Sequence, residues 1–400
     1  MKINGFDVRD IAKKYSTPLY IYDIKKVKDN IKLYKDNFKS DKFLCEVAYA
    51  SKAFSIQPFI NIIKEEGLSI DVISIGEAKT AIKAGFKGDN IYLHGNNKSI
   101  EELLYAVDYR FNIVVDNLEE LKFLAGLLQG KKINVLLRIN FGIEAHTHKY
   151  ILTGNLDSKF GIIYESDDYK EALDVIKKNE NINLIGFHSH IGSQIFELEP
   201  YYSLIDKYEE ISKKFDKKLV FSLGGGFGVK YIDSDKPIPL DIVSKSLVSY
   251  VEKKNMKLEK LVIEPGRSIV SEAGIIAYSL GFKKKTPNIE YYFVDGGMSD
   301  NIRPSLYQAK YRALILGNED SKDLKKVTIA GKCCESGDIL ATDIMLPDYK
   351  YGDILVFLDC GAYSYQMSSN YNKLYRPSVV FVYEKKYELV VKRQDIDDLP

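Results

Sequence analysis

The chain has 400 residues, 45% hydrophobic and 28% charged, more than one ordinary core organises, so two domains are expected. Its 57 basic and 56 acidic residues leave a net charge of +1, which removes any electrostatic case for binding nucleic acid or an anionic membrane. No apolar run is long enough to span a bilayer, and Met1-Lys2-Ile3-Asn4-Gly5 carries no apolar signal core, so a cytoplasmic protein is expected.

In chain order, Leu19-Tyr20-Ile21-Tyr22 reads as a strand ahead of everything else. Residues 43–264 then alternate strand-like and helix-like patterns. The strand-like runs are residues 43–50, 70–74, 90–94, 111–115, 133–139, 182–190, 219–223 and 261–264. Ser99-Ile100-Glu101-Glu102 reads as a capping box, Asn117-Leu118-Glu119-Glu120 opens the next helix in the same way, and Pro200 precedes a periodic run over 201–215. Parallel strands need crossover helices, and eight βα units in series close a ring, so a (β/α)8 TIM barrel is expected over 27–272. A doubly wound open sheet is the alternative, but its glycine-rich loop follows strand one, and here it follows strand seven. After residue 270 the pattern turns to short β runs at 291–294, 326–329, 354–358, 378–383 and 388–391. These predict an all-β C-terminal domain over 273–400 that also takes up the N-terminal segment 1–26.

Chemistry concentrates where strands end. The first barrel strand ends at Ala50-Ser51-Lys52, and a lysine at such a tip faces a cleft, although a lone lysine in a lysine-rich chain is most often a solvated charge. Gly224-Gly225-Gly226-Phe227-Gly228 follows strand seven, where a barrel usually binds phosphate on backbone N–H groups. Glu264-Pro265-Gly266-Arg267 follows strand eight; Glu264 can pair with a protonated ring nitrogen, or simply with Arg267. A lysine amine, a phosphate loop and a carboxylate for a ring nitrogen together describe pyridoxal 5′-phosphate (PLP) as the cofactor. His188 and His190, and His146 and His148, raise a metal hydrolase as a rival. It is disfavoured because the pairs follow strands five and six and no acidic ligand clearly accompanies them, so no metal is expected and His188 reads as a packed core histidine. Cys45, Cys333, Cys334 and Cys360 lack zinc-site spacing and read as reduced thiols.

Several stretches resemble the fold-type III PLP-dependent decarboxylases, which are similar in architecture to alanine racemase and eukaryotic ornithine decarboxylase. They are Tyr49-Ala50-Ser51-Lys52-Ala53, His190-Ile191-Gly192-Ser193, the glycine loop, and Glu264-Pro265-Gly266-Arg267. The resemblance narrows to the branch acting on meso-diaminopimelate through Ala145-His146-Thr147-His148-Lys149-Tyr150, Ser158-Lys159-Phe160-Gly161, Asp295-Gly296-Gly297-Met298, Arg303-Pro304-Ser305-Leu306-Tyr307, Cys334-Glu335-Ser336-Gly337-Asp338 and Gly361-Ala362-Tyr363. It implies decarboxylation of meso-diaminopimelate to L-lysine, or, alternatively, of ornithine, arginine or carboxynorspermidine. It implies that Lys52 forms the Schiff base, that His190 stacks on the ring, and that Glu264 keeps the pyridine nitrogen protonated. It assigns the phosphate to Ser193, Gly225, Gly226, Phe227 and Gly228, helped by Tyr363, and places Gly266 and Arg267 among the cofactor-binding residues. Arg267, Arg303, Tyr307 and Tyr363 are implied to bind substrate, with Glu335 reading its far ammonium. Cys334 is implied to protonate the carbanion, and with Glu335 to reach the site from the other subunit of a homodimer. Ornithine has no far carboxylate, so Arg303 discriminates between the substrates. The chain departs from the family pattern at Phe54, Lys332 and Cys333, where asparagine, proline and no extra thiol are usual.

Overall fold

The computed structural model describes residues 1–143 and 156–399. The paired histidines His146 and His148, and the rest of the 145–154 stretch, lie outside the described residues. The chain divides into two compact units, one of Asn30–Gly228 and Pro237–Ser268, the other of Met1–Asp29, Val229–Lys236 and Ile269–Pro400.

The first unit is a closed parallel barrel. Its strands are β1 (Leu44–Ala50), β2 (Ser69–Val72), β3 (Ile91–Leu93), β4 (Asn112–Val115), β5 (Ile133–Asn140), β6 (Ile182–His188), β7 (Leu219–Ser222) and β8 (Leu258–Ile263). Each pairs in parallel with the next, and β8 returns to pair with β1 through Lys260–Leu44 and Ile263–Val47, which closes the ring. Inward side chains from alternating positions fill it: Ala48, Tyr92, Val114, Leu136, Val220 and Val262 form one buried cluster. Burying each of the larger of these contributes about 1.5–3 kcal/mol.

Local signals set the helix starts. Ser99 and Glu102 form the full capping box, with Ser99 N donating to Glu102 Oε2 at 2.7 Å and Glu102 N to Ser99 Oγ at 3.2 Å. Asn117 caps its helix by accepting from Glu120 N at 2.9 Å. The reciprocal half expected there does not form. Glu120 instead takes the buried Lys98 ammonium at 2.7 Å, because an amine sealed from water needs a carboxylate more than a helix N-terminus does.

The second unit is built on a sheet ordered Ile339–Pro347, Leu324–Ala330, Glu290–Val294, Gly274–Lys285, Leu19–Asp23, Ser378–Val382 and Tyr387–Val391. The N-terminal strand Leu19–Asp23 sits inside this sheet, antiparallel to Gly274–Lys285 and parallel to Ser378–Val382. Leu19, Ile21, Ile275, Ala277, Val356, Val380 and Val382 are among its core residues. The segment Val229–Lys236, inside the span expected for the barrel, belongs to this unit instead.

Candidate active site

At the C-terminal end of the barrel, Lys52 lies in a 3-10 turn, Ser51–Ala53, directly after β1. Its side chain is exposed while Ser51 and Ala53 are buried. Asp71, in β2, is buried, and its Oδ1 makes no hydrogen bond. Burial pushes the Asp71 carboxyl well above the usual range, and the Lys52 ammonium opposes that push. Glu77 is raised by burial in the same neighbourhood.

Glu264 directly follows β8 and is buried. Burial works to protonate it, but His188 and His94 outweigh burial and hold it well below the usual carboxylate range. Ser222 Oγ donates to Oε1 at 2.7 Å, and His188 Nε2 lies 3.0 Å from Oε2. His94 Nε2 stands 3.5 Å from Oε1, an electrostatic neighbour without hydrogen-bond geometry. A carboxylate offers about four lone-pair sites, so two strong donors leave room for a further one.

His188 is therefore not merely packed, and the absence of an acidic partner, one ground for setting aside a metal site, does not hold. His94, His188 and Glu264 bring three potential ligand atoms within 4.8 Å of one another.

The loops after β6, β7 and β8 interlock through backbone bonds. Ile195 N donates to Gly226 O at 2.9 Å, Gly228 N to Ile195 O at 3.1 Å, and Glu264 N to Gly224 O at 2.8 Å. A Cβ at Gly225 would lie 2.3 Å from Glu264 O, and one at Gly226, where φ is +98°, would lie 2.4 Å from Gly192 O. Side chains cannot enter these positions, so the loops present backbone only. Arg267 Nη2 donates to Ser193 Oγ at 2.8 Å, tying the loop after β8 to the loop after β6. Gly266 packs against Ala50 and Ala53 on either side of Lys52. The ring of Phe227 turns the other way, stacking on Tyr201 at 5.3 Å, so only its backbone can serve the cradle.

His190 follows the end of β6. Burial holds its imidazole well below its usual pKa, with Lys52 and Arg138 pushing the same way. Gly225 N donates to its Nδ1 at 3.3 Å, which a neutral ring with the proton on Nε2 accepts. An ionised buried carboxylate, a neutral imidazole, a lysine at the strand tip and a side-chain-free cradle fit a phosphorylated pyridine aldehyde.

Within the β-rich unit, Arg303 opens the short helix Arg303–Tyr307 and is buried. Its Nη1 donates to Tyr231 Oη at 3.4 Å and to Tyr311 Oη, and its guanidinium lies 5.6 Å from the Tyr363 ring centre. Tyr363 holds φ at +68°, a conformation costly for an aromatic residue and a mark of a constrained site. Tyr307 is half-buried. Cys334 and Glu335 are exposed, whereas Cys333 is buried. Asp338 fixes their loop by accepting from Cys333 N at 2.7 Å and Met298 N at 2.6 Å, and Cys334 N donates to Asn372 Oδ1 at 2.8 Å. Ser305 Oγ donates to Gly337 O at 2.7 Å, joining this loop to the Arg303 helix. Phe54 is fully buried against Phe59, 5.0 Å between ring centres, so its departure from the usual asparagine is absorbed as core.

Asp71, His94, Ser222, Tyr231 and Tyr311 are not singled out by the sequence. The available signal at Asp71 and His94 was a polar residue near the end of an otherwise apolar strand run.

Residues 24–271 match the family described as pyridoxal-dependent decarboxylase, pyridoxal binding domain. A diaminopimelate decarboxylase from Bacillus subtilis (strain 168) is 44% identical over 415 aligned positions, covering 100% of this chain and 94% of its own. The crystal structure of the Helicobacter pylori diaminopimelate decarboxylase with L-lysine superposes with a TM-score of 0.89 at 32% identity, covering 98% of each chain. That of M. jannaschii with L-lysine gives 0.92 at 29% identity, over 100% of this chain and 96% of its own. These matches decide against the metal hydrolase, and the chain belongs to the pyridoxal-dependent decarboxylases, in their diaminopimelate decarboxylase branch.

Proposed function

We propose that this chain, with PLP as its cofactor, removes one carboxylate of meso-diaminopimelate as carbon dioxide and yields L-lysine, the last step of lysine synthesis. The observation that carries the substrate assignment is Arg303, a buried guanidinium whose partners among the described residues are phenols, which makes it a receptor for an anion. Ornithine has no distal carboxylate to offer it. The L-lysine held by two solved relatives supports the same product here.

When bound, PLP supplies an electron sink for the bond that breaks at Cα. Lys52 holds it through the ε-amine. Glu264, kept ionised by His188 and His94, retains the proton on the pyridine nitrogen. His190 covers the ring as a neutral imidazole and adds no competing charge. Ser193, the backbone of Gly225, Gly226, Phe227 and Gly228, and Gly266 and Tyr363 hold the phosphate. Arg267, Arg303, Tyr307 and Tyr363 bind and orient the substrate, Arg303 taking its distal carboxylate and Glu335 its distal ammonium. Cys334 delivers a proton to Cα after carbon dioxide leaves. Of the two adjacent thiols, Cys334 is the exposed one, which supports a role toward a neighbouring subunit and hence a homodimer that shares residues between its sites. Among the described residues no helix is long and apolar enough to cross a membrane. An exposed catalytic thiol suits the reducing cytoplasm.

The test is Lys52→Ala. Its expected phenotype is loss of the visible PLP absorption band and of lysine production; a purified variant that makes lysine at the parent rate would refute the assignment.

A further inference from the structure

We propose that Tyr231 and Tyr311 are positioning residues that set substrate specificity, by supplying Arg303 with neutral acceptors so that its charge remains available to the substrate's distal carboxylate. This rests on the reading of Arg303 given above and extends it to residues that reading leaves without a role.

Buried cations are normally neutralised. Arg138 has Asp116 at 3.4 Å and Lys98 has Glu120 at 2.7 Å. Arg303 differs: among the described residues it has no ion pair, only the two phenol oxygens. Asp359, whose backbone carbonyl joins the cluster through Ser271, commits its carboxylate to Arg312 at 2.7 Å. A carboxylate against Arg303 would satisfy the guanidinium and compete with substrate, whereas a phenol accepts its N–H bonds without cancelling its charge. Both bonds leave from the same nitrogen, Nη1, which uses both of that atom's hydrogens. The Nε–Nη2 edge is left, and that edge binds a carboxylate in two parallel hydrogen bonds.

The phenols are themselves oriented. Ser271 Oγ is 3.0 Å from Tyr231 Oη and 2.8 Å from the Asp359 carbonyl. Ser271 Oγ is the donor to both, to Tyr231 Oη and to the Asp359 carbonyl, and shares its one proton between them. The Tyr231 oxygen thus accepts from Ser271 and from Arg303 Nη1, and the serine holds it in place as an acceptor beside the guanidinium. Tyr311 has the fully buried Ser364 hydroxyl as a hydrogen-bonding neighbour. The rings add to the hold: the guanidinium lies 5.4 Å from the Tyr231 centre and 5.7 Å from that of Tyr311. Tyr231 reaches this cluster because Val229–Lys236 leaves the barrel unit for the β-rich one.

The test is the PLP-loaded enzyme carrying Tyr231→Phe and Tyr311→Phe together, which keeps both rings and removes only the oxygens. The expected result is a KM for meso-diaminopimelate raised about tenfold, with kcat within about twofold and the PLP band unchanged. Competitive inhibition by L-lysine, which keeps the distal carboxylate, weakens by the same factor. Ser364→Ala, which leaves both phenols in place, shifts KM in the same direction by about threefold and serves if the double variant folds poorly. Arg303→Ala separates the two levels of the argument. If Arg303→Ala leaves KM and lysine inhibition at parent values, the reading of Arg303 itself is wrong. If Arg303→Ala destroys both while the tyrosine variant and Ser364→Ala keep both within about twofold, Arg303 stands and this inference is overturned; a fall in kcat at constant KM overturns it as well.

Discussion

Glu264 shows how much chemistry one side chain inherits from its neighbours. Its carboxylate is buried, and burial alone would protonate it; His188 and His94 reverse that. His94 bears the cost, its pKa pushed down to about 4 by burial even though Glu264 pulls it upward. The folded protein therefore binds fewer protons at this site than the unfolded chain between about pH 6.5 and 4, so stability falls as pH drops through that window, by about 3 kcal/mol for this group. His94→Asn should flatten the acid limb of the melting midpoint over the same window, measured by thermal scans from pH 7 to pH 4; parallel parent and variant curves would show that His94 does not titrate as described. Lys52, His190 and Glu264 were legible in the sequence because each ends a recognisable strand run. His94 and Asp71 end or interrupt such runs equally well, but nothing in a single sequence says which strand tips face one another. His94 meets His188 across the ring, 4.7 Å between ring centres, only once the barrel closes.

Among the elements, the three interlocked loops after β6, β7 and β8 form the proposed cofactor cradle. The sequence offers the glycine run as a candidate phosphate loop, but not the reason for each glycine. Gly225 is set by its approach to Glu264 O, and Gly226 by Gly192 O and a positive φ. Forcing a methyl group at Gly225 into the loop after β8 costs about 1–3 kcal/mol. Gly225→Ala should weaken PLP binding about tenfold to a hundredfold, read by titrating apoenzyme with PLP and following absorbance. Unchanged affinity would mean that the cradle lies elsewhere. The sequence pattern also carried strand six to His190, whereas the ladder stops at His188 opposite Ser222. Ser189 N still bonds Ser222 O, but the chain then turns away, which gives His190 its place as a loop residue.

At the scale of the whole molecule, the order of eight βα units followed by β runs was enough to read a barrel and a β-rich domain, and the uptake of Leu19–Asp23 into the second sheet followed from its position ahead of the barrel. The excursion of Val229–Lys236 was not readable, because its residues carry no strand or helix period and only its packing assigns it. The proposed dimer has a direct consequence. If Cys334 acts on the site of the other subunit, Lys52→Ala and Cys334→Ala are each inactive alone, yet a mixed dimer contains one intact site. Random mixing should restore about a quarter of parent activity; no recovery after confirmed subunit exchange would place Cys334 and Lys52 of the same subunit in the same site.

In the proposed reaction a PLP enzyme uses Arg303 to select a substrate with a carboxylate at both ends. Its most direct measurement is carbon dioxide release by the PLP-loaded protein from meso-diaminopimelate and from ornithine, side by side at equal concentration. The expected result is rapid release from meso-diaminopimelate with stoichiometric L-lysine and little from ornithine. Equal or faster release from ornithine would contradict it.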